Sequence, residues 1–183
     1  TYMLKLVGEI LTGVPTPMVT TRDMERGHLL EPEARDLYAL RTGTAPETVG
    51  FIRCGRVGCS PDSLIGDDGG LEIKTKLPHL VLDLIEKDEF PEEHKAQVQG
   101  ALWLTGREWW DLKVVGAVEI DGRPALAPNM PTFIKRAYRD EPYIKTLASE
   151  IDRFNSDLDA IVAQMRGRIE METNGFEFAA AAA

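Results

Sequence analysis

Apolar residues recur at helical spacing from the start of the chain. Met3, Leu4, Val7, Ile10 and Leu11 share one face of a helix predicted over Tyr2–Leu11, which Gly13 ends. Val14–Thr21 holds two prolines and reads as a loop. A second stripe, Leu30, Ala34, Leu37 and Tyr38, predicts a helix from an Asp23 cap to about Leu40, with Pro32 as a kink or restart and Gly43 as the stop. The period then shortens. Val49–Arg53 and Val57–Ser60 read as strands around a Gly55–Gly58 turn, and Asp67-Asp68-Gly69-Gly70 turns the chain into a strand over Leu71–Lys76. Pro78 opens a short helix to about Glu86, and Pro91 a longer one to about Thr105, with Val98, Ala101 and Leu102 inward. Trp109–Val118 is read as a strand, Asp121-Gly122 as a hairpin turn and Arg123–Met130 as the return. Phe133 to about Arg168 is read as a long terminal helix interrupted near Pro142. This order predicts an α/β fold with a mixed central β-sheet flanked by helices.

The chain has 183 residues, enough for one domain with a sizeable core. We read residues 1–176 as that domain. Thr1 falls inside a helical pattern, so a preceding N-terminal segment is expected. The low-complexity stretch Glu177–Ala183 reads as a tag or unassigned tail. No apolar run reaches the length of a membrane span and no signal peptide is visible, which implies a cytoplasmic protein with no membrane partner. Cys54 and Cys59 make neither a disulfide framework nor a metal cluster; they are expected to be reduced and packed near a hairpin.

The net charge of −9 argues against a general nucleic-acid binder. It leaves room for an enzyme with a local basic groove. Arg22, Arg26, Arg35, Arg53, Arg56, Lys74 and Lys76 gather in sequence around the segment richest in chemistry, whereas much of the acid lies in Glu86–Glu93 and the C-terminal third.

That segment is Pro61-Asp62, followed after nine residues by Glu72-Ile73-Lys74. Alternate side chains of a strand share a face, so Glu72 and Lys74 project together and Ile73 points to the core. Two carboxylates, a backbone carbonyl and an ammonium at one place suit a hard cation such as Mg²⁺, with the lysine beside a nucleophilic water. The same residues also fit an exposed turn aspartate and a solvated ion pair on an edge strand. Glu31, beside the apolar stripe of the second helix, is a third candidate carboxylate, or a rim residue paired along its own helix. Gln97 shares a helix side with Ala101 and Leu104 and can face the motif strands; Gln99 is its near neighbour. His28, His79 and His94 have no ligand spacing. Ser60 has no histidine base nearby in sequence, which disfavours a Ser-His-Asp hydrolase. Gly66, Gly69 and Gly70 form a turn and not a phosphate loop. Trp109-Trp110 reads as core and interface.

Cys59-Ser60-Pro61-Asp62, Gly70–Lys74, Ala96–Thr105, Gly27–Glu31 and the opening Tyr2–Gly13 together resemble the lambda exonuclease, or YqaJ-like viral recombinase, family of the PD-(D/E)XK nuclease superfamily. The match runs in order over most of residues 1–130. The resemblance implies a restriction-endonuclease-like core and a processive, Mg²⁺-dependent 5′-to-3′ exonuclease on linear duplex DNA, with Mn²⁺ as a substitute ion. It implies 3′ single-stranded products, a homotrimeric ring around DNA ends, and a single-strand annealing protein as partner in phage or prophage recombination within a bacterial host. By the same resemblance Asp62, Glu72 and the Ile73 carbonyl bind metal, and Glu31 serves a second ion. Lys74 activates water, Gln97 positions it, Ser60 meets the 5′-phosphate, and Met24 is the apolar wedge at the terminal base pair.

Two metals then hydrolyse the phosphodiester, with activity rising toward alkaline pH. An endonuclease or nickase on the same core is the nearest alternative. A catalytically silent DNA-end-binding recombination scaffold is the alternative of a different class.

Overall fold

The computed structural model describes residues 2–181, with side chains through residue 173. In chain order the elements are α1 (Tyr2–Thr12), α2 (Arg22–Thr42), β1 (Pro46–Glu47), β2 (Ile52–Cys54), β3 (Val57–Cys59), β4 (Ser63–Ile65), β5 (Gly69–Lys76), α3 (Pro78–Lys87), α4 (Glu92–Thr105), β6 (Trp109–Ile120), β7 (Arg123–Leu126), β8 (Phe133–Tyr138) and α5 (Glu141–Ala181). They divide into two units, residues 20–145 and residues 1–19 with 146–183.

The sheet of the first unit runs β1-β4-β5-β6-β7, and β8 also pairs with β6. The β5–β6 pair is parallel and the other pairs are antiparallel, so the sheet is mixed. A parallel pair needs a long crossover, which α3 and α4 supply. β6 is the spine. Its residues 109–114 pair with β8 and its residues 117–120 with β7 along the edge opposite β5.

Period-two alternation assigns the two faces. Leu71 and Ile73 of β5 and Val115 of β6 pack with Ala34 and Tyr38 of α2. On the other face Leu112 and Val114 meet Val81 of α3, and Trp110 meets Val98, Ala101 and Leu102 of α4. Asp111 and Lys113 face α2 and are buried polar groups with partners. Asp111 accepts from Tyr38 at 2.6 Å and from Arg136 at 2.7 and 2.9 Å, while Lys113 Nζ donates to the Ala34 carbonyl at 2.8 Å. These contacts fasten α2 to the sheet. Gly69 and Gly70 admit the two indoles: a Cβ would lie 2.1 Å from the Trp109 ring at one and 2.3 Å from the Trp110 ring at the other.

The second unit is a helix pair. Val7 of α1 is buried with Leu158 and Val162 of α5, and the Tyr2 and Phe154 rings stack with centroids 6.2 Å apart. Among the described residues no helix is long and apolar enough to cross a membrane.

Several local expectations are corrected. Thr21, not Asp23, caps α2: its hydroxyl accepts from Met24 N at 3.2 Å, and Asp23 pairs with Arg26 in the first turn. Pro32 lies within α2, which runs unbroken from Arg22 to Thr42, with Leu30, Ala34 and Tyr38 buried on its inner side. Phe133–Tyr138 is a strand; the following helix begins where the Asp140 carboxylate accepts from Tyr143 N, with Pro142 in its first turn, where a missing N–H costs no helical bond. β1 and β4 are too short to show a period. Cys54 and Cys59 are free thiols on the β2–β3 hairpin, with Cys54 exposed. The expectation for residues 177–183 falls on side chains outside those described.

Candidate active site

The β4–β5 hairpin brings the two acids of the motif together. Ser63 stands opposite Leu71, and one step further along this register Asp62 faces Glu72. Asp62 Oδ2 accepts from Ile73 N at 2.6 Å, which straps the carboxylate to β5 beside the Ile73 peptide. Ile73 itself is buried against α2, as alternation requires. Glu72 points the other way, toward α4, and is 4% exposed. Its Oε1 accepts from Lys74 Nζ at 2.6 Å and from Gln97 Nε2 at 2.7 Å.

Glu31 comes from α2, and its Oε1 is engaged by Arg35 one turn later. The Arg35 side chain also donates to Ser63 Oγ at 2.7 Å and to the Asp62 carbonyl at 3.1 Å, so α2 and the start of β4 are joined through one guanidinium. Met24, Glu31, Asp62, Ile73 and Lys74 line a cleft of about 810 Å³. Met24 is 38% exposed at that cleft. Ser60 is exposed just after β3 and is not among the residues lining the cleft.

Burial sets the electrostatics. It pushes the Asp62 carboxyl up to about 7, with the Glu72 charge adding to the effect and the Ile73 amide opposing it. Glu72 is raised for the same first reason, against the pull of Lys74 and Gln97. Two carboxylates that resist ionising side by side, with one lysine bonded to Glu72, form an oxygen-donor set short of positive charge. That set fits a hard divalent cation. Among the described residues no three His, Cys, Asp or Glu side chains form a ready ligand cluster. The donors at hand are therefore Asp62, Glu72 and a backbone carbonyl, with Glu31 turned to Arg35.

The family model of the YqaJ-like viral recombinase domain matches residues 1–108. The chain belongs to that family. In structure this YqaJ-like domain is similar to the alkaline exonuclease LHK-Exo from Laribacter hongkongensis, with 29% identity, 93% of this chain and 84% of that chain covered, and a TM-score of 0.79. The figures are the same for LHK-Exo in complex with dAMP. A phage-related exonuclease from Haemophilus somnus 129PT shares the fold, at 14% identity over 90% of this chain and 82% of that chain, with a TM-score of 0.71. A search of curated proteins by sequence gives no match.

The structure thus joins Glu72, Lys74 and Gln97 by hydrogen bonds, sets Asp62, Lys74, Glu31 and Met24 on the cleft, and leaves Glu72, Gln97 and Ser60 off its lining. Sequence reasoning allowed Glu31 a partner along its own helix, which is Arg35, but missed the bonds of Arg35 to Ser63 and the Asp62 carbonyl. The signal for the pair was there: Glu31 and Arg35 are four residues apart on a helix, the spacing at which opposite charges meet.

Proposed function

We propose that this YqaJ-like domain is a divalent-metal-dependent deoxyribonuclease that digests linear duplex DNA from its 5′ ends and leaves 3′ single strands. The supporting observation is the buried Glu72 carboxylate held by Lys74 and Gln97, with Asp62 and Lys74 lining the cleft beside it, in a chain 29% identical to an alkaline exonuclease. In this reading residues 1–176 serve as one nuclease domain. The protein is a processive homotrimer of phage or prophage origin, working in the bacterial cytoplasm with a single-strand annealing protein.

Asp62, Glu72 and the Ile73 carbonyl would hold Mg²⁺ or Mn²⁺, and Glu31, once released by Arg35, a second ion. Such ions supply Lewis acidity at the phosphoryl oxygen and make a water molecule more acidic. The protein's own contribution is positional. Gln97 fixes the Glu72 rotamer, Glu72 fixes Lys74, and the Lys74 ammonium faces the cleft where the attacking water would meet the phosphorus. Met24 offers an apolar edge against the terminal base pair, where unstacking costs about a few kcal/mol. Ser60 is assigned to the 5′-phosphate.

The test is Mg²⁺-dependent digestion of end-labelled linear and closed-circular duplex DNA, with Asp62→Ala as control. Loss of the 5′ label from linear DNA alone, absent in the variant, supports the reading. Cut circles would establish an endonuclease on this core. No cleavage with any divalent ion would overturn the enzyme reading in favour of a DNA-end-binding scaffold.

A further inference from the structure

Lys76 stands where two depressions meet. It lines the cleft and also an adjoining pocket of about 340 Å³ that Glu89, Glu92 and Glu93 share. Strand alternation puts it on the same face of β5 as Glu72 and Lys74. In this structure it is turned to the acidic side: Lys76 Nζ donates to Glu93 Oε1 at 2.5 Å. The Glu93 side chain is 58% exposed and has room to move.

The next residue of α4 is out of balance. His94 Nε2 lies 3.2 Å from the same Glu93 oxygen, yet it is sealed from solvent and makes no hydrogen bond. Buried polar atoms are rarely left unpaired. Burial, with the nearby Lys74 charge, lowers the pKa of this imidazole and so favours its neutral form, against the pull of Glu93. With its proton on Nε2 it would be a donor in want of an acceptor, and Glu93 Oε1 lies within reach at 3.2 Å.

We propose that Lys76 binds a backbone phosphate of DNA in the cleft, that Glu93 holds it in reserve, and that His94 takes Glu93 when the phosphate draws Lys76 away. The exchange loses no partner. Lys76 trades a carboxylate for a phosphate of equal charge, and Glu93 trades an ammonium for the orphaned Nε2–H. The acid on this wall therefore does not simply repel the polyanion; it leaves the cation that DNA needs. The inference rests on the DNA-processing reading and adds to it a phosphate contact with its own release.

The test measures binding of a 5′-phosphorylated linear duplex against KCl concentration, in Ca²⁺ with the DNA verified as intact, alongside cleavage in Mg²⁺. Lys76→Met should reduce the slope of log affinity against log salt by about 1, and Lys76→Arg should restore it. Glu93→Gln should bind about 1.5- to 5-fold tighter, the worth of one exposed ion pair. His94→Phe should weaken binding in the wild type but not in the Glu93→Gln background, a coupling that a purely structural histidine would not show. The His94 Nε2 nitrogen resonance should shift on adding DNA. If the wild type binds and cuts linear DNA while Lys76→Met keeps the full salt slope, or if His94→Phe acts equally in both backgrounds, the inference falls and the nuclease reading stands. If the wild type neither binds nor cuts DNA, both fall.

Discussion

Lys74 and Gln97 share one oxygen atom. Both bonds, at 2.6 and 2.7 Å, end on Glu72 Oε1, one from the same strand and one from a helix 25 residues further on. The carboxylate is thus oriented from two sides. Gln97→Ala should lower activity or metal affinity by about 10- to 100-fold, the usual cost of losing a group that orients a ligand. The Mg²⁺ dependence of cleavage checks this: the half-saturating concentration should rise, whereas a variant with unchanged metal dependence and rate would remove Gln97 from the site.

Asp62→Asn keeps an acceptor for the Ile73 amide and removes a charge that burial and Glu72 both oppose. In EDTA the variant should melt higher than the wild type. Added Mg²⁺ should then reverse the order, because an ion at about 100 times its Kd stabilises the wild type by about 2.7 kcal/mol and finds one ligand fewer in the variant. Equal melting shifts in both proteins would show that Asp62 is not a ligand.

Lys113 offers a pH test away from the cleft. Burial lowers its pKa from the ordinary 10.5 to about 8. Between those values the unfolded chain binds the proton that the folded chain has released, so stability rises as pH rises through that window. Urea melts should show the wild type gaining stability from about pH 8 to 10 relative to Lys113→Met, which has no such group. A constant difference between the two proteins would contradict the assignment.

Gly70→Ala places a methyl where the Trp110 ring already lies, 2.3 Å from its nearest atom. Overpacking of this kind costs about 1–3 kcal/mol. Gly50→Ala, where a Cβ meets nothing within 4 Å, is the control and should change the thermal midpoint far less.

Much of this was legible in the sequence where the period was long enough to read. α3 and α4 announced themselves by prolines and stripes, and β5 by its alternation, which correctly set Glu72 and Lys74 opposite Ile73. Gln97 was visible because it shares a helix side with Ala101 and Leu104 that can face the motif strands, and its amide does reach Glu72. Phe133–Tyr138 was not legible: its alternation is blurred because Ile134 and Lys135 are both half-buried and two charged residues, Lys135 and Arg136, sit side by side, and only pairing with β6 makes the segment a strand. Asp111 and Lys113 were hidden for the converse reason. Polar residues within an apolar run show their meaning only once Tyr38 and Ala34 stand over them.

The glycines that receive the indoles have a bearing on the chemistry as well as on packing. Slip β5 by one residue against its neighbours, and Glu72 and Lys74 would turn into the apolar layer under α2 while Ile73 faced Gln97. Such a slip would also bring a side-chain-bearing residue under Trp109 or Trp110, where there is no room for one. Gly69 and Gly70 therefore act as a frame marker: the fit that lets the sheet close in a single alignment is the same fit that decides which side chains of β5 stand on the side of Gln97.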